Sequence, residues 1–307
     1  MNRLSEKMHG FIQEVKNTVK NGTFKYAIMR KFITSFIRDK NLKNDRWHLF
    51  VYNSLKRKYK DILIKSDISH ESTMTNYVWI LWFQGEEQMP PLVKACVNSV
   101  KKNMQGMKVI VLTKSSIANY IKIPEYIEKK RENGKIGMAH YSDIIRTELL
   151  CEYGGLWLDA TVLCTADLPS HIRKEPLFVY KIVDLDRHET LPIKNSSWLI
   201  YSEKKNPILM LTRKLLHVYW ENNKGLMDYF LWHILFSLAS DVYKEEFDNI
   251  PTYSNQSPHV LQFEMEKRFS DIRWNEITRC SHFHKLNHHI IYDTADGNFY
   301  SHIIKRC

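Results

Sequence analysis

Hydrophobic positions in this chain alternate between two spacings. The run YVWILWF, residues 77–83, is β-branched and aromatic and stops at the polar QGEEQ, which predicts a buried strand. Beyond it Pro91 suits the first turn of a helix, and Leu92, Val93, Cys96, Val97 and Val100 form a stripe at helical period. GMKVIVLT, residues 106–113, reads as the next strand. Strand, helix and strand in this order predict a βαβ unit and a parallel sheet, whose ligands bind at the carboxyl ends of the strands. The loop WFQGEE lies at such an end.

A second helical stretch is MAHYSDIIRTELLCEYGG, with Tyr141, Ile145, Leu149 and Tyr153 at intervals of four. Ser142 is a reasonable N-cap, and Gly154 and Gly155 end the helix. In the following LWLDATVL, alternation puts Leu156, Leu158, Ala160 and Val162 on one face and Trp157, Asp159 and Thr161 on the other. The second half is mostly helical in pattern, with NPILMLTRKLLHVYWENN and LMDYFLWHILFSLASDVY strongly apolar and no convincing run of strands between them. Near the amino terminus, YAIMRKFITSFIRDK sets Ile28, Phe32, Phe36 and Ile37 on one side and Arg30, Lys31, Arg38 and Lys40 largely elsewhere. Such a helix either lies on an anionic membrane surface or caps the main domain through its apolar stripe.

Composition narrows the partners. The 307 residues are 44% hydrophobic and 26% charged, as in a globular protein, but the net charge of +11 favours an anionic partner. Five cysteines without a CxxC pair argue against a disulfide framework and a zinc ribbon and favour a reducing compartment. No apolar run reaches bilayer-spanning length and no secretory signal pattern opens the sequence, so a cytoplasmic protein is expected, peripheral at the membrane if the basic helix binds lipid.

The candidate chemistry centres on Asp159. A carboxylate in a buried strand costs several kcal/mol unless something binds it, and Mg²⁺ or Mn²⁺ held by one or two carboxylates and diphosphate oxygens is a common nucleotide-site arrangement. Alternatively, Asp159 marks the strand end and caps a turn. Asp143 and Arg146, three apart on one helical face, join it at the same sheet edge, unless they form an ordinary exposed ion pair.

The segment AHYSDIIRTELLCEYGGLWLDATV resembles the signature of the capsular polysaccharide synthesis glycosyltransferases, relatives of glycosyltransferase family 32. The resemblance extends through WILWFQGEEQMPPLVKACVNSV, SSWLIYSEKKNPILMLTRKLLHVYW, MDYFLWHILF, SNQSPHVLQ and HKL, roughly residues 77 to 286. It implies a GT-A type, Rossmann-like α/β nucleotide-sugar-binding fold over residues 73–307, behind a basic, mainly helical region over 1–72 and with helical C-terminal additions. It further implies a nucleotide-sugar donor, most simply a UDP-sugar, a divalent cation and retention of anomeric configuration. Ser142, Asp143 and Arg146 would contact donor ribose and sugar, and Trp79, Trp82 and Gln84 would line the base pocket. Asp159 and Thr161 occupy the DxD positions, and threonine there, a weaker neutral ligand, suggests a further metal ligand from His284 or His259, with Lys285 on the diphosphate. Asp228 would approach the transferred sugar, although a carboxylate there also suits a helix N-terminus. Each histidine is equally a core or surface imidazole.

The acceptor implied is a capsular polysaccharide or lipid-linked oligosaccharide precursor. Two other readings stand beside this one: a nucleic-acid-binding protein using the positive charge, and a GT-A-shaped protein inactivated at Thr161. The first would want exposed aromatics interleaved with basic residues, whereas the Tyr and Trp here sit in apolar runs, so no nucleic-acid partner is expected.

Overall fold

A computed structural model describes residues 16, 18–66, 75–183, 192–294 and 296–306. After helical residues 16 and 18–20 come α1 (Phe24–Ile33) and α2 (Lys40–Lys58), the second capped by Asp39, whose carboxylate accepts from the amides of Asn41 and Leu42. The βαβ unit follows: β1 (Tyr77–Leu81), α3 (Pro91–Asn103) and β2 (Lys108–Leu112). After α4 (Glu125–Glu132) comes the long α5 (Met138–Tyr153), then β3 (Gly155–Asp159), which pairs parallel to β1. Helix α5 begins at Met138, so Ser142 lies inside it rather than at its cap.

The chain turns after Asp159 into β4 (Val162–Cys164), passes the short α6 (Ser170–Arg173), and returns to the main sheet in β5 (Leu177–Lys181) and β6 (Asn195–Ser202). The main sheet has the order β2-β1-β3-β6-β5, parallel over β2, β1 and β3, with β6 alone running antiparallel to both its neighbours, β3 and β5. No strand separates the two apolar helical runs NPILMLTRKLLHVYWENN and LMDYFLWHILFSLASDVY, as expected, but a strand that the pattern did not single out lies just before them. SSWLIYS is a central strand, and its partners β3 and β5 are distant or separate in sequence, which local periodicity does not report. The remaining helices are α7 (Pro207–Asn222), α8 (Leu231–Val242), α9 (Lys244–Asp248), α10 (Asp271–Cys280) and α11 (Phe299–Arg306). Between the last two, β7 (Phe283–Lys285) pairs antiparallel with β4 as a second, two-stranded sheet. This mixed α/β sheet with a parallel βαβ start matches the Rossmann-like α/β architecture that the resemblance implied.

The amino-terminal helices share the main core. Trp47, Val51, Tyr52 and Leu55 of α2 are buried in the cluster that holds the sheet strands, and the Tyr52 hydroxyl donates to Asp241 of α8. The expected boundary near residue 72 falls within 67–74, outside the described residues.

The glycine pair does more than end a helix. Gly155 has φ +100°, and a Cβ there would lie 2.5 Å from the Tyr77 carbonyl oxygen of β1. At Gly154, φ +66°, a Cβ would meet the Ser202 oxygen and Lys204 nitrogen at 2.8 Å, beyond the end of β6. The pair thus lets β3 enter between its two neighbours. Gly155→Ala should destabilise the protein by about 2 kcal/mol or more, combining a strained φ with a backbone clash. Urea unfolding followed by circular dichroism measures it, and a change below about 0.5 kcal/mol would contradict this account.

Candidate functional site

The carboxyl ends of β1 and β3 open into a cavity of about 690 Å³, a size typical of ligand sites. Its walls come from the β1 loop (Trp82, Phe83, Gln84), the amino-terminal half of α5 (Met138 to Arg146), the strand end Trp157–Thr161, and the segment Lys285–His289 after β7. The first turn of α5 carries no acidic residue and contributes Met138, Ala139 and His140 to the wall, so the positive end of the helix macrodipole faces the cavity.

Asp159 is the hub. Its Oδ1 lies 3.3 Å from Arg146 Nη2 and accepts from the Trp157 indole N–H at 3.1 Å, while Lys285 Nζ stands 3.5 Å from its Oδ2. The Arg146 guanidinium also lies 3.4 Å from Asp143 Oδ1, donates to the Ser197 carbonyl at 2.5 Å and stacks over Trp157 with Cζ 5.0 Å from the ring centroid. The Asp143–Arg146 pair is buried rather than an exposed helical pair. Burial alone would push the Asp143 carboxyl up, but Arg146 and then His140 outweigh it and hold it below the usual carboxylate range. The Trp220 N–H donates to His140 Nε2 at 3.0 Å, which leaves the imidazole proton on Nδ1, 3.4 Å from Asp143 Oδ2.

Most of the sequence-predicted residues converge here. Trp82, Gln84, Ser142, Asp143, Arg146, Asp159, Thr161, His259 and Lys285 all line the cavity. Three do not. Trp79 is fully enclosed in mid-strand, two residues short of the strand end, where its N–H donates to the Gly154 carbonyl at 2.9 Å and its ring packs against Tyr77, Tyr120 and Tyr153. His284 is fully buried on the far side of the small sheet, its Nε2 3.4 Å from the Thr165 hydroxyl, because strand alternation gives the cavity face of β7 to Lys285. Burial pushes His284 down to about 3, a neutral core imidazole. Asp228 lies behind the wall, accepting from the Phe230 amide at 2.6 Å and facing His48 of α2 at 3.6 Å, so it holds the turn that presents Tyr229.

Sequence reasoning missed His140, His233 and Gln262. His233 lines the cavity with an unpartnered Nδ1, and burial pushes its imidazole down to about 4, partly offset by Asp143. Trp82 likewise keeps an unpartnered indole N–H. His140 and His233 lie inside the segments AHYSDIIRTELL and MDYFLWHILF that carry the resemblance but drew no role, since single histidines in apolar helices usually serve the core. Only the folded arrangement sets both around Asp143.

The donor set fits a divalent cation poorly. Thr161, which the resemblance sets at the second DxD position, accepts a hydrogen bond from Lys285 Nζ at 2.5 Å, and that ammonium also faces Asp159. A divalent ion placed on Asp159 about 4 Å from an ammonium would meet a repulsion of about 8 kcal/mol at an effective dielectric near 20. His259 has its Nδ1–H on the Asn255 carbonyl at 2.7 Å, leaving Nε2 as an acceptor, but His284 is turned away. Among the described residues no group of three or more His, Cys, Asp or Glu side chains is placed to hold a metal.

An α/β sheet with an ion-paired, aromatic-walled cavity at its parallel strand ends defines the fold class, a Rossmann-like α/β protein. Comparison with known proteins gives the family. A sequence profile described as "Capsular polysaccharide synthesis protein" matches residues 29–303, and the chain belongs to that family. The match reaches upstream of residue 77, where the sequence resemblance began, to take in α2 and the second half of α1. O-glycosyltransferase braB of Annulohypoxylon truncatum is 29% identical over 100 residues, 30% of this chain and 24% of its own length, so the chain spans about a quarter of that relative. Among solved structures, the PaToxG glycosyltransferase matches over 76% of this chain and 94% of its own, at 13% identity and a TM-score of 0.37. A transferase solved as a cysteine-to-serine double mutant matches over 62% of this chain and 99% of its own, at 9% identity and a TM-score of 0.35.

The depressed His233 gives the site a pH signature. A histidine whose folded value lies below its unfolded value of about 6.5 binds its proton more readily in the unfolded chain, so stability is complete above pH 6.5 and falls as pH drops toward 4. Replacing it by His233→Gln should lower the slope of unfolding free energy in that window by up to about 1.4 kcal/mol per pH unit. Urea unfolding at several pH values reads the slope. An unchanged slope would mean that His233 protonates freely in the folded protein.

Proposed function

We propose that the protein is a glycosyltransferase that moves a sugar from a nucleotide-sugar donor to a hydroxyl of a cell-surface polysaccharide precursor. The observation that carries this reading is the cavity that gathers Asp143, Arg146, Asp159 and Lys285 beneath the aromatic β1 loop. Trp82 and Phe83 offer flat apolar surface for a base, with Gln84 supplying amide donors and acceptors to fix it. Cations deeper in the cavity suit a diphosphate, and the carboxylate of Asp143, held ionised, suits sugar hydroxyls and a developing oxocarbenium ion.

In the transfer, the bond between the anomeric carbon and the phosphate oxygen breaks and its electron pair leaves with the diphosphate. The acceptor hydroxyl forms the new bond on the same face, and its proton passes to the departing phosphate oxygen, so configuration is retained without an enzymic nucleophile. UDP-sugars are the preferred donors on the family resemblance. The buried positions of Trp47, Trp157, Trp220 and Trp232 weigh against the nucleic-acid reading, which needs exposed rings.

The acceptor side is read from α1. Phe24, Ile28, Phe32 and, just past the helix, Phe36 are exposed, Phe36 at 98%, among the exposed Lys25, Arg30, Lys31 and Arg38. An apolar ridge with a cationic border complements an anionic bilayer, where a lipid-linked acceptor would be presented. No helix among the described residues is long and apolar enough to cross a membrane, so attachment through this ridge would be interfacial.

Two experiments test the reading. In a panel of nucleotide sugars, one donor should raise the melting temperature and be hydrolysed slowly, and Asp159→Ala should cut that turnover about 100-fold or more. Full turnover in Asp159→Ala would overturn the assignment. For the lipid surface, the protein should co-sediment with phosphatidylserine vesicles in a salt-sensitive manner, and Phe32→Ser with Phe36→Ser should abolish it. Equal recovery with neutral vesicles, or burial of the ridge in a dimer, would rule the surface out.

A further inference from the structure

The pairing of β4 with β7 has a specific product. It aligns Val162 with Lys285, and the Leu286 amide donates to the Thr161 carbonyl at 3.0 Å, which brings the Lys285 ammonium onto the Thr161 hydroxyl. Asp159, Thr161 and Lys285 then form a compact set at the cavity wall: Nζ to Oγ1 at 2.5 Å, Nζ to Oδ2 at 3.5 Å. Arg146 is committed to Asp143, Asp159 and the Ser197 carbonyl. Lys285 is not, since its other protein contact, the Leu286 carbonyl, is at 3.5 Å. Of its three donors only the one to Thr161 is held short; the contacts to Asp159 and the Leu286 carbonyl, both at 3.5 Å, are long enough for a ligand to take a donor. By accepting from Lys285, the Thr161 hydroxyl keeps its own hydrogen for donation, the role of an anion contact rather than of a metal ligand.

We infer that the Lys285 ammonium, steadied by Asp159 and Thr161, takes the place of a divalent cation, so that the diphosphate of the donor binds and departs without a metal. This rests on the nucleotide-sugar reading of the cavity and deepens it. The aspartate at the first DxD position orients the lysine instead of ligating an ion. The threonine at the second position is then the fitting residue, because a carboxylate there would draw the ammonium into a closed ion pair and away from the ligand. As the sugar leaves, the electron pair of the broken bond stays on the phosphate oxygen, and the fixed charge of Lys285 stabilises it in the way a bound metal does elsewhere.

Titration calorimetry with UDP, GDP, ADP, CDP and inorganic pyrophosphate tests this on the whole protein, in EDTA and in excess Mn²⁺. The best nucleoside diphosphate should bind with the same affinity, within about twofold, in both. Lys285→Ala should weaken it about 30- to 100-fold in either buffer while leaving the affinity for the parent nucleoside unchanged, as removal of a charge-assisted contact to the phosphates predicts. Lys285→Arg should recover most of the loss. The double variant Thr161→Asp, Lys285→Ala should bind the diphosphate with Mn²⁺ and poorly in EDTA. Melting temperatures of all variants check that they fold. Binding by the unaltered protein that vanishes in EDTA and returns with Mn²⁺ would overturn the inference while leaving the nucleotide-sugar reading intact. Binding of no diphosphate in either buffer would overturn that reading, and this inference with it.

Discussion

An ionised carboxylate at the end of a buried strand is tolerable only when its charge is answered, and the architecture around Asp159 is organised by that requirement. Three elements converge on it. Helix α5 supplies Arg146, β3 itself supplies the Trp157 N–H, and β7 supplies Lys285. Each comes from a different part of the chain, so the two-stranded sheet at the rim and the five-stranded sheet beneath are tied together through one side chain. The same convergence leaves a positively edged cavity where the parallel strands end, which is where an α/β sheet offers its backbone and loops to a ligand.

Around this hub the buried polar groups are matched in chains rather than in isolated pairs. Trp220 fixes the tautomer of His140, His140 faces Asp143, Asp143 faces Arg146, and Arg146 reaches both Asp159 and the Ser197 carbonyl of β6. A network of this kind sets rotamers as well as charge, because each member has few alternatives without leaving a partner unsatisfied. Asp228 plays a comparable supporting part at the rim. It ties the turn before α8 to His48 of α2, so the amino-terminal helices help to shape the wall that carries Tyr229 and His233. That link, with the burial of Trp47 and Tyr52 in the common core, makes the basic amino-terminal region part of the working domain as well as the bearer of an exposed apolar ridge.

The family resemblance and the physical reading of the residues agree on where the site is and differ on what occupies it. A motif of the DxD type suggests a metal, yet here the second acidic position is a threonine that already serves an ammonium. The carboxylate that remains is flanked by two cations. What a motif transfers reliably is place. The chemistry at that place depends on the partners that the rest of the chain delivers.

Much of this was written locally in the sequence. Thr161 reaches the cavity from the turn after β3, but the βαβ unit, the helix ending in two glycines, and the face of β3 that carries Trp157 and Asp159 follow from apolar periodicity, a property of neighbouring residues. So does the cavity position of Trp82 and Gln84, since a loop at a strand end must open there. The tertiary structure decided whatever depends on distant partners. It made SSWLIYS a central strand by giving it β3 and β5 to pair with, and it enclosed Trp79 by depth within β1. It also chose Lys285 over His284 for the cavity, because the register of β7 against β4 fixes which alternate side chain points inward, and two strands more than a hundred residues apart carry no local record of that register.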